Sequence, residues 1–306
     1  NAKLLGMNKI VSDDSARRGL KKIDEALGID WMQDHLKKCY EPLLGTPWVL
    51  DCDVTVKPLY GHQEGAVIGY NPHKKGRPSH TYHSYMIGNL RLLLDVEVLP
   101  GNQTAAAHSM PGLLDLLRKL DKSIWPEFVR GDCDWGSDSV MSQLEEEGAN
   151  YLFKLKKHKK VKELIYKAHN DPGWKLFKDN WEAKLDALEC GKDRMERRVI
   201  LVRRRLQNNN YIVAEDTQVP KQLSIATIEE PENFKLYEYS VLVTNLEDEL
   251  ISIVQHYRDR ADCENVFDEI KNQWGWGGFT TKDLKTSQLM SRIIALIYNW
   301  WNLFVR

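Results

Sequence analysis

"WVLDCDVTVKPLYGHQEG", residues 48–65, decides the fold. Its β-branched residues and alternating apolar and polar positions, closed by glycine-bearing turn signals, read as a strand. Side chains two apart on a strand share a face, so Asp51 and Asp53 point the same way. Two further segments, "AVIGY" (66–70) and "SYMIGNLRLLLDVEVLPG" (84–101), complete three successive strands of an antiparallel meander. Beyond it, "TAAAHSMPGLLDLLRKLDK" (104–122) carries Leu113, Leu114, Leu116, Leu117 and Leu120 on one side of a helix, and "EFVRGDCDW" (127–135) is a strand. "SDSVMSQLEEEG" (137–148) is a helix with Ser137 as N-cap and Gly148 as C-cap, and "NYLFKLKK" (150–157) is another strand. Strands, helix, strand, helix, strand describe an α/β core.

The chain has 306 residues, with 43 Lys+Arg against 44 Asp+Glu and a formal net charge of −1. That is enough for one large core or two modest ones, and it excludes a disordered chain. The apolar stretch near the end, "LMSRIIALIYNWWNLFVR", is broken by Arg292 and Asn299, which argues against a membrane span and for a soluble protein. Cys39, Cys52, Cys133, Cys190 and Cys263 are odd in number and scattered, without a CxxC pair, so neither a disulfide framework nor a zinc site is expected and the cytosol is the expected compartment. The opening on Asn1 and the stop at Arg306 inside a helical pattern suggest a piece of a longer protein. A near-zero net charge weighs mildly against nucleic-acid binding unless positive charge is clustered locally.

Before the meander, Asp13 to Leu44 reads as a pair of helices with a break at Gly28. Between about Lys156 and Asp248 the character changes: a lysine-rich turn, the β-type "ERRVILVRRRL", a polar "QNNN" turn and "YSVLVTN" as a late strand suggest a mostly β insertion. Two long helices, Leu250–Trp274 and Leu284–Arg306, close the chain around "GWGGF". The expected domains are a helical N-terminal part at 1–46, the first part of a catalytic core at 47–157, the insertion at 158–248 and core-completing helices at 249–306.

Within "HYRDRADCENVFDEIKNQW" (256–274), Tyr257, Arg260, Glu264 and Lys271 fall in roughly one 60° sector of a continuous helix at about 100° per residue. On spacing alone a charge run of this kind is more often a solvated face. The pattern Tyr257-x2-Arg260-x3-Glu264-x6-Lys271, however, resembles the YREK signature of the DDE transposases of bacterial insertion sequences. The resemblance implies that Glu264 is the third metal-binding carboxylate and that Tyr257, Arg260 and Lys271 contact DNA phosphates near the cut. It also implies two aspartates upstream, at strand ends. The family's Asp-x-Thr matches Asp53-Val54-Thr55, with Asp51 as a supporting neighbour or competitor. The family's Arg-Gly-Asp-Ser-Gly-Phe is similar to Arg130-Gly131-Asp132-Cys133-Asp134-Trp135 through Asp132; Asp134 stands where glycine is expected and adds a candidate fourth carboxylate. Asp138 is expected in the first turn of the next helix, without a catalytic role.

The resemblance covers nearly everything from Leu50 onward, including "KNQWGWGGFTTKDLKTSQLM". It implies an α/β, RNase H-like mixed sheet flanked by helices, interrupted by the mostly β insertion before the last catalytic helix. It further implies a transposase in which Asp53, Asp132 and Glu264 hold two Mg²⁺ ions, with Mn²⁺ able to substitute, for cleavage and strand transfer at double-stranded transposon ends and target DNA. A homodimer in the synaptic complex and residence in the bacterial cytosol, near the nucleoid, come with it. Oxygen-rich carboxylate cages suit Mg²⁺, and two such ions serve the attacking and leaving oxygens of a phosphodiester. An RNase H-like nuclease that cuts without joining, and a domesticated DNA-binding protein with a dead site, remain as alternatives.

Basic clusters "HKKGR" (73–77), "KLKKHKKVK" (154–162, six lysines in nine positions) and "ERRVILVRRRL" (196–206, five arginines in eleven) are candidate phosphate contacts or merely soluble loops. Trp300 and Trp301 are expected in the core, and Trp274 and Trp276 are the better base-stacking candidates. His80 and His83 lack a third ligand and are expected to be structural or phosphate-facing.

Overall fold

The computed structural model describes all residues except 1–2, 4–5, 7, 72–73, 192–193, 207–230, 232, 277–278, 280 and 306. The "QNNN" turn, His73, and the two glycines at the centre of "GWGGF" therefore lie outside the described residues. The chain forms two units, residues 1–127 with 260–306, and 128–259.

In the first unit, β1 (Val49–Pro58) pairs antiparallel with β3 (Pro78–Ile87), which pairs antiparallel with β4 (Leu92–Pro100); β2 (Val67–Ile68) pairs with the start of β3. The segment read as a single third strand is a hairpin, because Gly88, Asn89, Leu90 and Arg91 turn the chain between β3 and β4, with Arg91 at φ 54°. β3 is buried along nearly its whole length, as befits a strand with neighbours on both sides.

α1 (Asp13–Leu20) and α2 (Glu25–Tyr40) are the expected helix pair, capped by Ser12 and Asp24. The break lies between them and not at Gly28, which sits inside α2. A Cβ there would lie 2.8 Å from Leu289 Cδ2, so the missing side chain allows α2 to approach α8 (Leu284–Val305). α3 (Met110–Arg118) buries Leu113, Leu114, Leu116 and Leu117, as its spacing predicts.

α8 covers β4, which has β3 as a partner on one side. Its polar residues serve the other edge: Asn299 accepts from Leu93 N and donates to Leu93 O, both at 2.8 Å, and Gln288 Oε1 accepts from Val98 N at 2.9 Å. Side chains thus satisfy backbone groups that a further strand would otherwise take. Arg292 forms a two-pronged pair with Asp95 at 2.8 and 2.9 Å, both residues buried. No described helix is long and apolar enough to cross a membrane. Trp300 and Trp301 are half exposed, contrary to the core placement expected of them, because the face of α8 turned to the sheet near its end carries Tyr298, Asn299 and Asn302 instead.

The second unit is a mixed sheet in the order β5-β6-β10-β9-β8-β7. β5 (Phe128–Gly131) and β6 (Tyr151–Lys154) are parallel, joined through α4 (Asp138–Glu147), whose C-cap Gly148 has φ 72°. β10 (Tyr237–Thr244), β9 (Met195–Arg205), β8 (Trp181–Cys190) and β7 (Lys175–Lys178) follow as antiparallel neighbours. The lysine-rich segment is mostly helix and not turn: α5 (Lys159–His169) buries Val161, Ile165 and Ala168 at helical spacing. A mixed α/β sheet flanked by helices is the architecture expected.

The helix expected at Leu250–Trp274 is two helices. α6 (Leu250–Arg258) and α7 (Ala261–Gln273) are interrupted at Asp259 and Arg260. The common sector deduced for a continuous helix therefore holds for Glu264 and Lys271, seven residues apart on α7, and not for Tyr257, which lies in the last turn of α6.

Candidate active site

Asp53 lies in the middle of β1, opposite Ser84 of β3, and not at the strand end expected. Strand alternation puts Asp51, Asp53, Thr55 and Lys57 on one face. Asp51 is fully buried, whereas the Asp53 side chain retains 23% of its exposure. The Thr55 hydroxyl donates to Asp53 Oδ2 at 3.3 Å, a physical reason for threonine two residues after the aspartate.

The other Asp53 oxygen accepts from Arg260. Arg260 Nη2 donates to Asp53 Oδ1 at 3.0 Å, and Nη1 donates to Glu264 Oε1 at 2.6 Å. The arginine side chain is 7% exposed and the Glu264 side chain 65%. One guanidinium thus holds two carboxylates that stand 211 positions apart in the chain. Lys271, also on α7, is partly exposed. The thiol of Cys52, between the two aspartates, is pushed well up by burial and further by the charge of Asp51, so it stays protonated.

In the second unit, Asp132 directly follows β5. Its Oδ1 accepts from Asp134 N at 2.9 Å, folding the loop into an aspartate-centred turn. Gly131 is demanded by packing, since a Cβ there would lie 2.5 Å from Cγ of the buried Trp135. Arg130 is buried and donates to the carbonyl of His256. The Arg-Gly-Asp-x-x-aromatic block therefore has a structural logic around Asp132. Asp134, in the glycine's place, pairs with Lys156. Asp138 lies in the first turn of α4, as expected, and pairs with the buried Arg197 at 2.6 Å, which also binds Glu145. Tyr257 lies in the last turn of α6, in this same unit.

Asp53, Arg260, Glu264 and Lys271 thus belong to one unit, Asp132 and Tyr257 to the other. Among the described residues, no three histidine, cysteine or carboxylate side chains are grouped closely enough to hold one metal ion. What the first unit does assemble is an oxygen from Asp53 and another from Glu264 around one positive charge, and hard carboxylate oxygens are what Mg²⁺ takes. The pair fits a divalent cation.

Sequence reasoning missed Lys57. Its ammonium donates to Trp276 O at 2.5 Å and lies 5.5 Å from the Tyr82 ring and 5.2 Å from the Phe279 ring, and burial lowers its pKa to about 8. The two-residue alternation from Asp53 through Thr55 was the available signal. Trp276 is buried, donates to Ser291 O and packs against Tyr82, so it is a core residue and not a base-stacking platform. Trp274 lies edge-on to Tyr298 and donates to Glu269. His83 donates through Nε2 to Gln103 O at 2.8 Å and contacts Ser109 through Nδ1, while His80 donates to Glu64 O; both are structural. All five cysteines are free.

A family model described as "Transposase DDE domain" matches residues 44–300. No curated protein matches the chain. Among solved structures, the piggyBac transposase synaptic complex with hairpin DNA is similar at 9% identity and a TM-score of 0.42. That similarity covers 85% of this chain and 49% of the other, so this chain spans about half that transposase's length.

Proposed function

Because the chain belongs to the transposase DDE domain family, which its residues 44–300 match, we propose that it cleaves and joins DNA at the ends of a bacterial insertion sequence and is of the branch that carries the YREK signature. Asp53, Asp132 and Glu264 are the proposed metal ligands, and Tyr257, Arg260 and Lys271 the proposed contacts to DNA phosphates. Two Mg²⁺ ions, replaceable by Mn²⁺, would supply activation of the attacking oxygen and charge stabilisation of the leaving oxygen. Thr55 holds Asp53 in its rotamer by a hydrogen bond to Oδ2. Lys271 offers a cation on the same face of α7 as Glu264, where a phosphate is positioned by charge. In the first step a water oxygen attacks phosphorus and the 3′-oxygen leaves as a hydroxyl. In the second, that hydroxyl attacks a target phosphodiester and the target strand's 3′-oxygen leaves as a hydroxyl, so no protein–DNA bond forms. Working on two ends at once calls for a homodimer in the synaptic complex, acting in the bacterial cytosol at the nucleoid.

The observation that carries this reading is the gathering of Asp53 and Glu264 on one cationic group. Glu264→Gln is expected to abolish Mn²⁺-dependent nicking of supercoiled plasmid while duplex binding in a gel-shift persists. Retained nicking removes Glu264 from the chemistry. Products joined to the plasmid separate a transposase from a nuclease that only cuts.

A further inference from the structure

Arg260 stands in the YREK position whose role is contact with DNA, yet its side chain is almost wholly withdrawn from solvent and both terminal nitrogens are committed to carboxylates. These are the two carboxylates assigned above to metal binding. A divalent ion seeking Asp53 Oδ1 and Glu264 Oε1 meets a guanidinium already hydrogen-bonded to both. The two cations compete for the same oxygens, and like charges at that distance repel.

We propose that Arg260 is an internal counter-cation that competes with the divalent ion for Asp53 and Glu264, so that metal loading releases its guanidinium to a phosphodiester. The proposal rests on the reading of Asp53 and Glu264 as metal ligands. The arginine's location on the turn before α7, facing β1, leaves it desolvated, and a desolvated guanidinium without an anion is costly. Arg260 therefore leaves the carboxylates readily only when another anion takes their place, and a planar fork suited to a carboxylate is equally suited to a phosphate. Metal and DNA then favour each other's binding, each supplying the charge the other displaces, and the coupling is reciprocal. Without DNA the protein holds metal weakly, which restrains indiscriminate hydrolysis.

The test titrates Mn²⁺ alone into the full chain by calorimetry, without DNA, for the wild type, Arg260→Gln and Asp53→Asn. Removing the competing cation is expected to tighten Mn²⁺ binding roughly tenfold in Arg260→Gln, and Asp53→Asn to weaken it. Unchanged or weaker Mn²⁺ affinity in a cooperatively melting Arg260→Gln, with Asp53-dependent binding in the wild type, overturns the counter-cation role and leaves the metal-ligand reading standing. Mn²⁺ binding indifferent to Asp53→Asn, or none at all, overturns both. Should Arg260→Gln fail to melt cooperatively, Arg260→Lys decides. A single ammonium in place of the two-pronged fork is expected to tighten Mn²⁺ by roughly threefold, and an unchanged or weaker value overturns the proposal.

Discussion

His83 shows how one buried side chain sets a pH limit. Burial pushes its pKa down to about 4, with Gln103 O and Ser109 fixing the neutral ring. The folded protein resists protonating a group that the unfolded chain protonates near 6.5. Its contribution is therefore complete above that value and lost as pH falls toward 4, about 3 kcal/mol in all. Thermal melts between pH 7 and 4 are expected to show the wild type losing stability that His83→Gln does not lose; parallel curves would remove His83 from the acid response. Gly131 is a second such position. Gly131→Ala forces a Cβ against the Trp135 ring and is expected to cost about 1–3 kcal/mol, read as a lower denaturation midpoint. The same substitution shifts the loop that carries Asp132. The bond from Thr55 to Asp53 and the turn centred on Asp132 each join residues two apart, so a local pattern carries them. The commitments of Arg260 and Lys57 could not be read from the sequence, because each is made to a residue more than 200 positions away in the chain.

At the scale of elements, periodicity was informative wherever a face was apolar. α3, β9 and β10 lie where their patterns put them. α5 was hidden by its lysines, although Val161, Ile165 and Ala168 carried the helical spacing throughout. The interruption between α6 and α7 was not legible, since Asp259, Arg260 and Ala261 all tolerate a helix. It coincides with the pinning of Arg260 to β1, which is a tertiary contact. The polar residues of α8 show a related effect: Arg292 and Asn299, which break an apolar run in the sequence, are its most specific contacts with β4. Arg292→Met leaves the carboxylate of Asp95 buried beside Gln33 alone and is expected to cost about 3–5 kcal/mol. Asn299→Leu strands the N–H and carbonyl of Leu93 and is expected to cost about 1–3 kcal/mol for each group left unpaired. Chemical denaturation of both variants measures this, and a destabilisation under about 1 kcal/mol in either shows that water or a neighbour takes over the hydrogen bonds.

Across the whole molecule, a net charge of −1 conceals two populations of cations. One is structural: Arg197, Arg203 and Arg204 of the arginine-rich β9 pair with Asp138 and Glu145, with Glu182, and with Glu238. Arg198 donates to the backbone of Leu246 and Asp248. Arg203 also lies 4.0 Å from the Trp174 ring. The sequence could count these arginines but not their partners, and the partners decide that this cluster stabilises the second unit. The other population is exposed, with Lys159, Lys160 and Lys162 on the first turns of α5. In the proposed complex with DNA, a phosphate backbone recruits the second population, because solvated charges exchange water for an anion at little cost. Changing Lys159, Lys160 and Lys162 together to Gln is therefore expected to weaken duplex binding and to flatten its dependence on log salt by up to about 2.7, at roughly 0.9 for each phosphate no longer neutralised, with the melting temperature unchanged. Arg203→Gln is expected to do the reverse, lowering the melting temperature while the salt slope holds. If the slope instead follows Arg203 and ignores the three lysines, the paired arginines are the DNA contacts and their internal acids act as placeholders for phosphates.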